Sequence, residues 1–327
     1  MRTGAAAGHR GYLHEAICYD SDEHLLAVVV PFLLGGVAAG EPTLVALGER
    51  NAGLVRAALP VDAPVVFLAG GEVYARPAGA IRSYQQLLQR HVAEGAEQIR
   101  IIGEVPLDSL GATWDWWANY ESAINHAYDD FPLWSMCAYD TRTTPAPVLA
   151  DVLRTHPRTA LPDGGHRRNE QYTDPEVFLL ENRAAEPDPL QRSVAPLDLT
   201  PVSPGHARQV VRDANQGRLS DDDLEALIVA VSEVVTNAYR YGRPPVRLRL
   251  WAGTDRIVVS VEDGGAGPKD PFAGLLPASS EFSAGLGLWI AHQSCSHVHM
   301  QRGPDGFGIR LTVVGTDAAD GGAEARP

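Results

Sequence analysis

Glu233 and Asn237 stand four residues apart in a run whose apolar residues Leu224, Leu227, Ile228, Val231, Val234, Val235 and Ala238 recur with helical spacing. Four residues on a helix are about 40° apart around the axis and one turn apart along it. This carboxylate and amide therefore share the face opposite the apolar stripe and can point at one ligand. Asp263 follows 26 residues after Asn237, where a strand-like run enters Asp263-Gly-Gly-Ala-Gly-Pro. That places an acceptor at a strand end, followed by glycines that let backbone approach a ligand closely. Further on, Ser283-Ala-Gly-Leu-Gly-Leu-Trp-Ile-Ala puts Gly285, Leu286 and Gly287 just before an apolar helix, and a glycine-rich helix start is a phosphate cradle. Together these groups suit a phosphorylated ligand held by positioning and charge neutralisation, with no covalent nucleophile on the protein. Singly, each is as well read as a solvated helix face or a turn.

The elements that must position these residues follow from the same stretch. Residues 205–215 form a short helix, and Ser220-Asp-Asp-Asp caps a long one with acidic residues that favour the helix dipole. Gly242 and Pro244 end it. Val246, Leu248 and Leu250 alternate with arginines, and Ala252-Gly-Thr-Asp turns into Ile257, Val259 and Val261, a hairpin. A second hairpin pairs 298–302 with 307–313 around Gly303-Pro-Asp-Gly306.

The ordered set of Glu-x3-Asn on a helix, Asp-x-Gly-x-Gly after a strand, then Gly-Leu-Gly-Leu before a helix resembles the N, G1 and G2 boxes of the GHKL (Bergerat-fold) ATPases. Ser232-Glu-Val-Val-Thr-Asn-Ala, followed by Gly242-Arg-Pro-Pro-Val, is most similar to their anti-sigma-factor serine/threonine kinase branch. The resemblance implies a two-layer α/β sandwich that binds ATP and Mg²⁺. It implies Asn237 as the Mg²⁺ ligand, Glu233 as general base and Asp263 as acceptor of the adenine amino proton. Gly265 and Gly267 would then lie against the nucleotide, and Gly285, Leu286 and Gly287 over its phosphates. It further implies a STAS-type anti-anti-sigma protein, a sigma factor, or both as partners. Two residues depart from the pattern: Tyr241 stands where many relatives have histidine, and Phe307 removes a hydroxyl expected near the adenine. A catalytically silent, nucleotide-gated binding module therefore stays open as an alternative. A histidine-kinase-like sensor is the third reading, but 158–203 is too short and too rich in Pro and Gly for the two long helices it needs.

Composition sets the wider bounds. The 327 residues are 45% hydrophobic and 21% charged, enough for buried cores and about two domains. A formal charge of −14 repels phosphate backbones and anionic lipid, so direct nucleic-acid binding is not expected. The only lysine, Lys269, sits in Gly-Pro-Lys-Asp-Pro and suits neither a P-loop nor a strand-lysine kinase. Cys18, Cys137 and Cys295 form no CxxC pair, which fits a reducing cytosol. The apolar run 25–39 is broken by Pro31 and Gly35-Gly36, short of the ~20 residues that span a bilayer. It reads as a buried helix in a cytoplasmic protein without membrane attachment.

Before the linker, strand-like runs at 17–19, 43–47, 65–68, 99–103 and 133–139 alternate with helical stripes at Tyr84–Val92 spacing and at Trp114, Trp117, Tyr120 and Ile124. That order predicts a parallel α/β sheet. His14, Tyr19-Asp20, Gly103-Glu104, Tyr120-Glu-x3-Asn125, Cys137-Ala-Tyr-Asp140 and Thr155-His-Pro together resemble the MEDS sensory domain. The resemblance implies sensing of a small-molecule effector on a degenerate RecA-like scaffold that lacks Gly-Lys-Thr. Ligands of parallel sheets bind beyond the strands' carboxyl ends, so His14, Tyr19, Asp20, Glu104, Tyr139 and Asp140 are the candidate sensory pocket. His14, Cys18, Cys137 and His156 are of types that ligate metal or haem, but no pair has a recognised spacing and the thiols read as inert. A zinc site at His292, Cys295, His297 and His299 is disfavoured because alternate strand residues face opposite ways. The expected organisation is a sensory domain at 8–182, a linker at 183–197, the ATPase at 198–315 and a disordered tail at 316–327. The sequence leaves the oligomeric state open, a homodimer included.

Overall fold

The structure is a computed structural model that describes residues 2–68, 76–106, 113–183, 185–277 and 286–315. Gly285 and the tail at 316–327 lie outside the described residues. The chain divides into two compact units, residues 1–180 and 181–327.

Unit 1 is built on a seven-stranded sheet of β1 (Leu13–Tyr19), β2 (Thr43–Ala46), β3 (Val66–Phe67), β4 (Ile99–Gly103), β5 (Leu133–Asp140), β6 (Arg158–Ala160) and β7 (His166–Arg168). Their order is β3-β2-β4-β5-β1-β6-β7, all parallel except the last pair. Its helices are α1 (Asp22–Ala39), α2 (Glu49–Ala58), α3 (Pro77–Ala93), α4 (Trp114–Ala127), α5 (Ala146–Thr155) and α6 (Pro175–Phe178). The central strands are buried along most of their length, as sheets covered on both faces require.

The buried helix expected over 25–39 is α1, which continues through Pro31 and Gly35-Gly36 to Ala39. Ser21 caps its start by accepting from His24 N, and Gly40, with φ +70°, closes its end. The glycines open the helix face for a buried guanidinium: a Cβ at Gly36 would lie 2.9 Å from Arg100 Cδ. Arg100 there pairs with Glu41 at 2.6 Å, donates to the Phe32 carbonyl at 2.7 Å and lies over the Trp134 ring at 4.6 Å. By length and composition α1 is a helix that can cross a membrane, yet Leu25, Val29, Phe32 and Leu33 are packed into the unit's core. Burying each is worth ~1.5–3 kcal/mol. The sequence marks no strand-like run after 139 in this unit, yet the polar stretch after 157 extends the sheet through the β6–β7 hairpin.

Unit 2 is a two-layer α/β sandwich. Its antiparallel sheet has the order β11-β12-β10-β9-β8, from β8 (Leu197–Leu199), β9 (Arg247–Ala252), β10 (Arg256–Asp263), β11 (His297–Gly303) and β12 (Gly306–Val314). On one face lie α7 (Pro204–Asn215), α8 (Asp221–Tyr241) and α9 (Leu286–Ser294), with α8 against β10 and β12 and flanked by the other two helices. Ser220 caps α8, and Leu227, Ile228, Val231, Val234, Val235 and Ala238 are its buried stripe. The face left over carries Glu233 and Asn237.

Candidate functional site

In unit 2 the first turn of α9 is seated on α8 at Glu233 and Asn237. A Cβ at Gly287 would lie 2.6 Å from Glu233 Oε2, 2.9 Å from Glu233 Cβ and 3.1 Å from Asn237 Nδ2. The missing side chain is therefore what lets this helix start reach the carboxylate and the amide. Leu286, the residue before it, is half exposed.

Asp263 ends β10, and its Oδ1 accepts from Gly265 N at 2.6 Å and Arg243 N at 3.1 Å. Oδ2 is left for a ligand donor. A Cβ at Gly242 would run into the Asp263 carboxyl and stand 2.6 Å from the Ala238 carbonyl, so the helix stop also makes room for this acid. Gly267 has φ +76°, and a Cβ there would meet the Phe307 ring.

A cavity of about 390 Å³ opens between these segments, within the size range of small-molecule pockets. Asn237, Asp263 and Gly267 line it, as do Tyr241 and Phe307, the two residues that depart from the family pattern. Val234, Val261, Leu288 and Ile309 supply the apolar part of its lining. Glu233 and Gly287 adjoin Asn237 beside this cavity, and Gly265 lies under Asp263. Sequence reasoning did not place Gly242 or Lys269 in the site, although both line the cavity. The side-chain oxygens of Asn237 and Glu233 are the kind that hard divalent cations take, and Gly287 leaves open the cradle a Cβ would fill.

Unit 1 holds a cavity of about 950 Å³ at the carboxyl ends of its strands, lined by Tyr19, Glu104 and Asp140 among the candidates. Asn51 Nδ2 donates to Tyr19 Oη at 2.9 Å and to Glu104 Oε1 at 3.1 Å, while Gly48 N donates to Glu104 Oε2 at 3.0 Å. Burial pushes Glu104 above the usual carboxylate range and Tyr19 up to about 12. Asp22 and Asp140 neutralise the rim arginines: Arg50 meets Asp22 at 2.7 Å, and Arg142 meets Asp140 at 2.6 Å and Asp22 at 3.3 Å.

The other candidates fall elsewhere. Asp20 is exposed and its Oδ1 bonds His24 Nδ1 at 3.1 Å. Tyr139 precedes Asp140 on β5, so its side chain leaves the opposite face and its hydroxyl donates to Glu121 Oε1 at 2.9 Å. His14 lies near the amino end of β1, buried on the same face as Tyr139. Among the described residues, His292, Cys295, His297 and His299 do not bring their ligand atoms together.

Residues 13–157 match the family model of the MEDS domain, described as the methanogen/methylotroph, DcmR sensory domain. Residues 196–313 match that of the histidine kinase-like ATPase domain. No curated protein matches the chain. Similar solved structures include the RsbU and RsbW domains of a Mycobacterium tuberculosis protein, at 21% identity over 37% of this chain and 32% of that one, with TM-score 0.26. The chain thus spans about a third of that protein's length. Acinetobacter baumannii histidine kinase AdeS is 11% identical over 38% of this chain and 71% of its own, with TM-score 0.23. The histidine kinase domain of the E. coli osmosensor EnvZ, solved by NMR, is 16% identical over 41% of this chain and 95% of its own, with TM-score 0.24.

Proposed function

We propose, for a chain that joins a MEDS sensory domain to a histidine kinase-like ATPase domain, that unit 2 binds ATP with Mg²⁺ and transfers its γ-phosphoryl group to a protein serine or threonine. Unit 1 senses a small molecule in the cavity at its strand ends and controls that activity. As a user of ATP the protein works in the cytoplasm. The observation that carries this reading is the convergence of three sequence-distant segments: Gly287 rests on Glu233 and Asn237, and Asp263 lines the same cavity as Asn237.

The roles follow from the chemistry. Asp263 Oδ2 accepts from the adenine amino group while Oδ1 is fixed by two backbone N–H groups. Asn237 holds Mg²⁺, which when bound neutralises charge on the phosphate oxygens. Glu233 takes the proton of the attacking hydroxyl, whose oxygen bonds to the γ-phosphorus as the bond to the β–γ bridging oxygen breaks and ADP leaves. The acceptor is a serine of a STAS-type anti-anti-sigma partner, and the unmodified partner competes with a sigma factor for unit 2. The run Ser232-Glu-Val-Val-Thr-Asn-Ala supports this choice. So does the absence, among the described residues of 158–203, of any helix longer than four residues that would present a histidine of the chain itself.

Radiolabelled ATP, the full chain and a STAS partner test the reading. Phosphate is expected on the partner; Glu233→Gln abolishes transfer while ATP binding persists, and Asn237→Ala removes transfer and Mg²⁺-dependent binding together. Transfer that survives Asn237→Ala rules out the assigned metal ligand. A second reading rests on Phe307, whose ring occupies the cavity wall against Gly267: a silent clamp gated by nucleotide. Calorimetric ATP binding with no phosphorylated partner distinguishes it.

A further inference from the structure

His14 of β1, Glu121 of α4, Cys137 of β5 and His156 at the end of α5 each bring one ligand atom to a common point, all four within 4.8 Å of one another. His14 Nε2 is 3.3 Å from Cys137 Sγ and 3.6 Å from Glu121 Oε2, and His156 Nε2 is 3.4 Å from the same oxygen. His14, Glu121 and His156 are fully buried, and Cys137 is partly buried.

Hydrogen bonding fixes which nitrogens face this point. Asn125 Nδ2 donates to three carbonyls, those of Glu121 at 3.0 Å, Ser122 at 3.1 Å and Thr155 at 2.8 Å, which makes Oδ1 an acceptor. Oδ1 lies 3.0 Å from His14 Nδ1, so Nδ1 carries the proton and Nε2 is bare. His156 Nδ1 is 2.8 Å from the Val152 carbonyl, which only accepts, so its Nε2 is bare as well. Glu121 Oε2 and His156 Nε2 have no hydrogen-bond partner although both are buried. Two imidazole lone pairs and a carboxyl oxygen thus confront one another in a buried site, an arrangement that costs free energy unless a proton or a metal cation lies between them.

We propose that His14 Nε2, Glu121 Oε2, Cys137 Sγ and His156 Nε2 form a binding site for a divalent first-row metal, zinc by preference. A tetrahedral zinc with N, O and S ligands has ligand–ligand edges of about 3.3–3.6 Å, which the three measured separations match. Four protein ligands leave no open position, so the site is structural: it ties β1, α4, β5 and α5 together. The outer partners are already placed, with Asn125 and the Val152 carbonyl on the imidazoles and Tyr139 Oη on Glu121 Oε1. Binding displaces the Cys137 thiol proton and the Glu121 carboxyl proton, so two protons leave as one dication enters and the buried charge stays balanced. This replaces the expectation of inert thiols: Cys18 takes no part, and the topology supplies the proximity that linear spacing withholds.

The full chain, stripped of metal under reducing conditions, is titrated with Co²⁺. One equivalent is expected to give the visible bands of tetrahedral cobalt and a near-ultraviolet thiolate-to-cobalt band, both bleached by Zn²⁺. Cys137→Ser loses the near-ultraviolet band, and Tyr139→Phe, which keeps every ligand, weakens binding by about 10- to 100-fold. A readout that needs no variant is alkylation of the wild-type chain mapped by mass spectrometry, in which Zn²⁺ protects Cys137. No cobalt bands at one equivalent, or equal labelling of Cys137 with and without Zn²⁺, overturns the site.

Discussion

Replacing Gly267 by alanine tests how tightly the cavity wall is built. At φ +76° an alanine bears a left-handed backbone cost of ~1–2 kcal/mol. Its Cβ would also stand 2.7 Å from Phe307 Cε2 and 2.9 Å from Cγ, closer than such atoms approach. Phe307 is fixed at its backbone by pairing with Asp263 across β10 and β12 and its side chain is buried, so the ring has little room to move and overpacking adds ~1–3 kcal/mol. The sum, ~2–5 kcal/mol, is between about 30-fold and a few thousand-fold in the opening equilibrium of unit 2. Native-state hydrogen exchange at β10 and β12 amides reads it directly. The informative experiment is the cycle with Phe307→Thr, which removes the ring but leaves the backbone as it is. In that background Gly267→Ala is expected to cost only the left-handed part, so the two substitutions couple by ~1–3 kcal/mol. A coupling near zero refutes the close approach of Gly267 to Phe307, and with it the wall assigned to the cavity.

Three further outcomes are expected. Gly242→Ala crowds the Asp263 carboxyl and is expected to weaken ATP binding by calorimetry at least tenfold while leaving unit 1 melting unchanged. Glu41→Leu strands the Arg100 charge in the core and should destabilise unit 1 by about 3–5 kcal/mol, read from exchange at β4; adding Arg100→Met recovers most of the loss. Burial, with the nearby His297, holds His292 at about 3 in the folded chain, below its unfolded value of about 6.5. The unfolded chain therefore binds the extra proton first, so this stability is complete above pH 6.5 and lost as pH falls toward 3. A calorimetric pH series on His292→Gln should show a flatter acid limb.

What the sequence made legible was local. Glu233 and Asn237 are one helical turn apart, and periodicity alone puts them on a common face. Asp263 is marked by alternation running into glycines. The helix over 25–39 was legible from its apolar residues, but the reason for Gly35-Gly36 was not: the glycines admit Arg100 to the helix face, and tertiary packing overrides their low propensity. The β6–β7 hairpin was hidden because three-residue strands rich in arginine carry no alternation. The second role of Gly242 depends on Asp263, 21 residues later, and cannot be read from a helix stop. The four-residue cluster of unit 1 spans gaps of 107, 16 and 19 residues over four elements, and only the strand order brings its members together. Tyr139 and Asp140 show the limit of reading by strand end, since neighbours on one strand serve opposite faces.

A crystal structure of the full chain with a non-hydrolysable ATP analogue and Mg²⁺ tests the central claim most directly. The account predicts the base in the cavity of unit 2 with its amino group on Asp263, the metal on Asn237, and the start of α9 over the phosphates. Nucleotide bound at another place, or a metal held by residues other than Asn237, contradicts it.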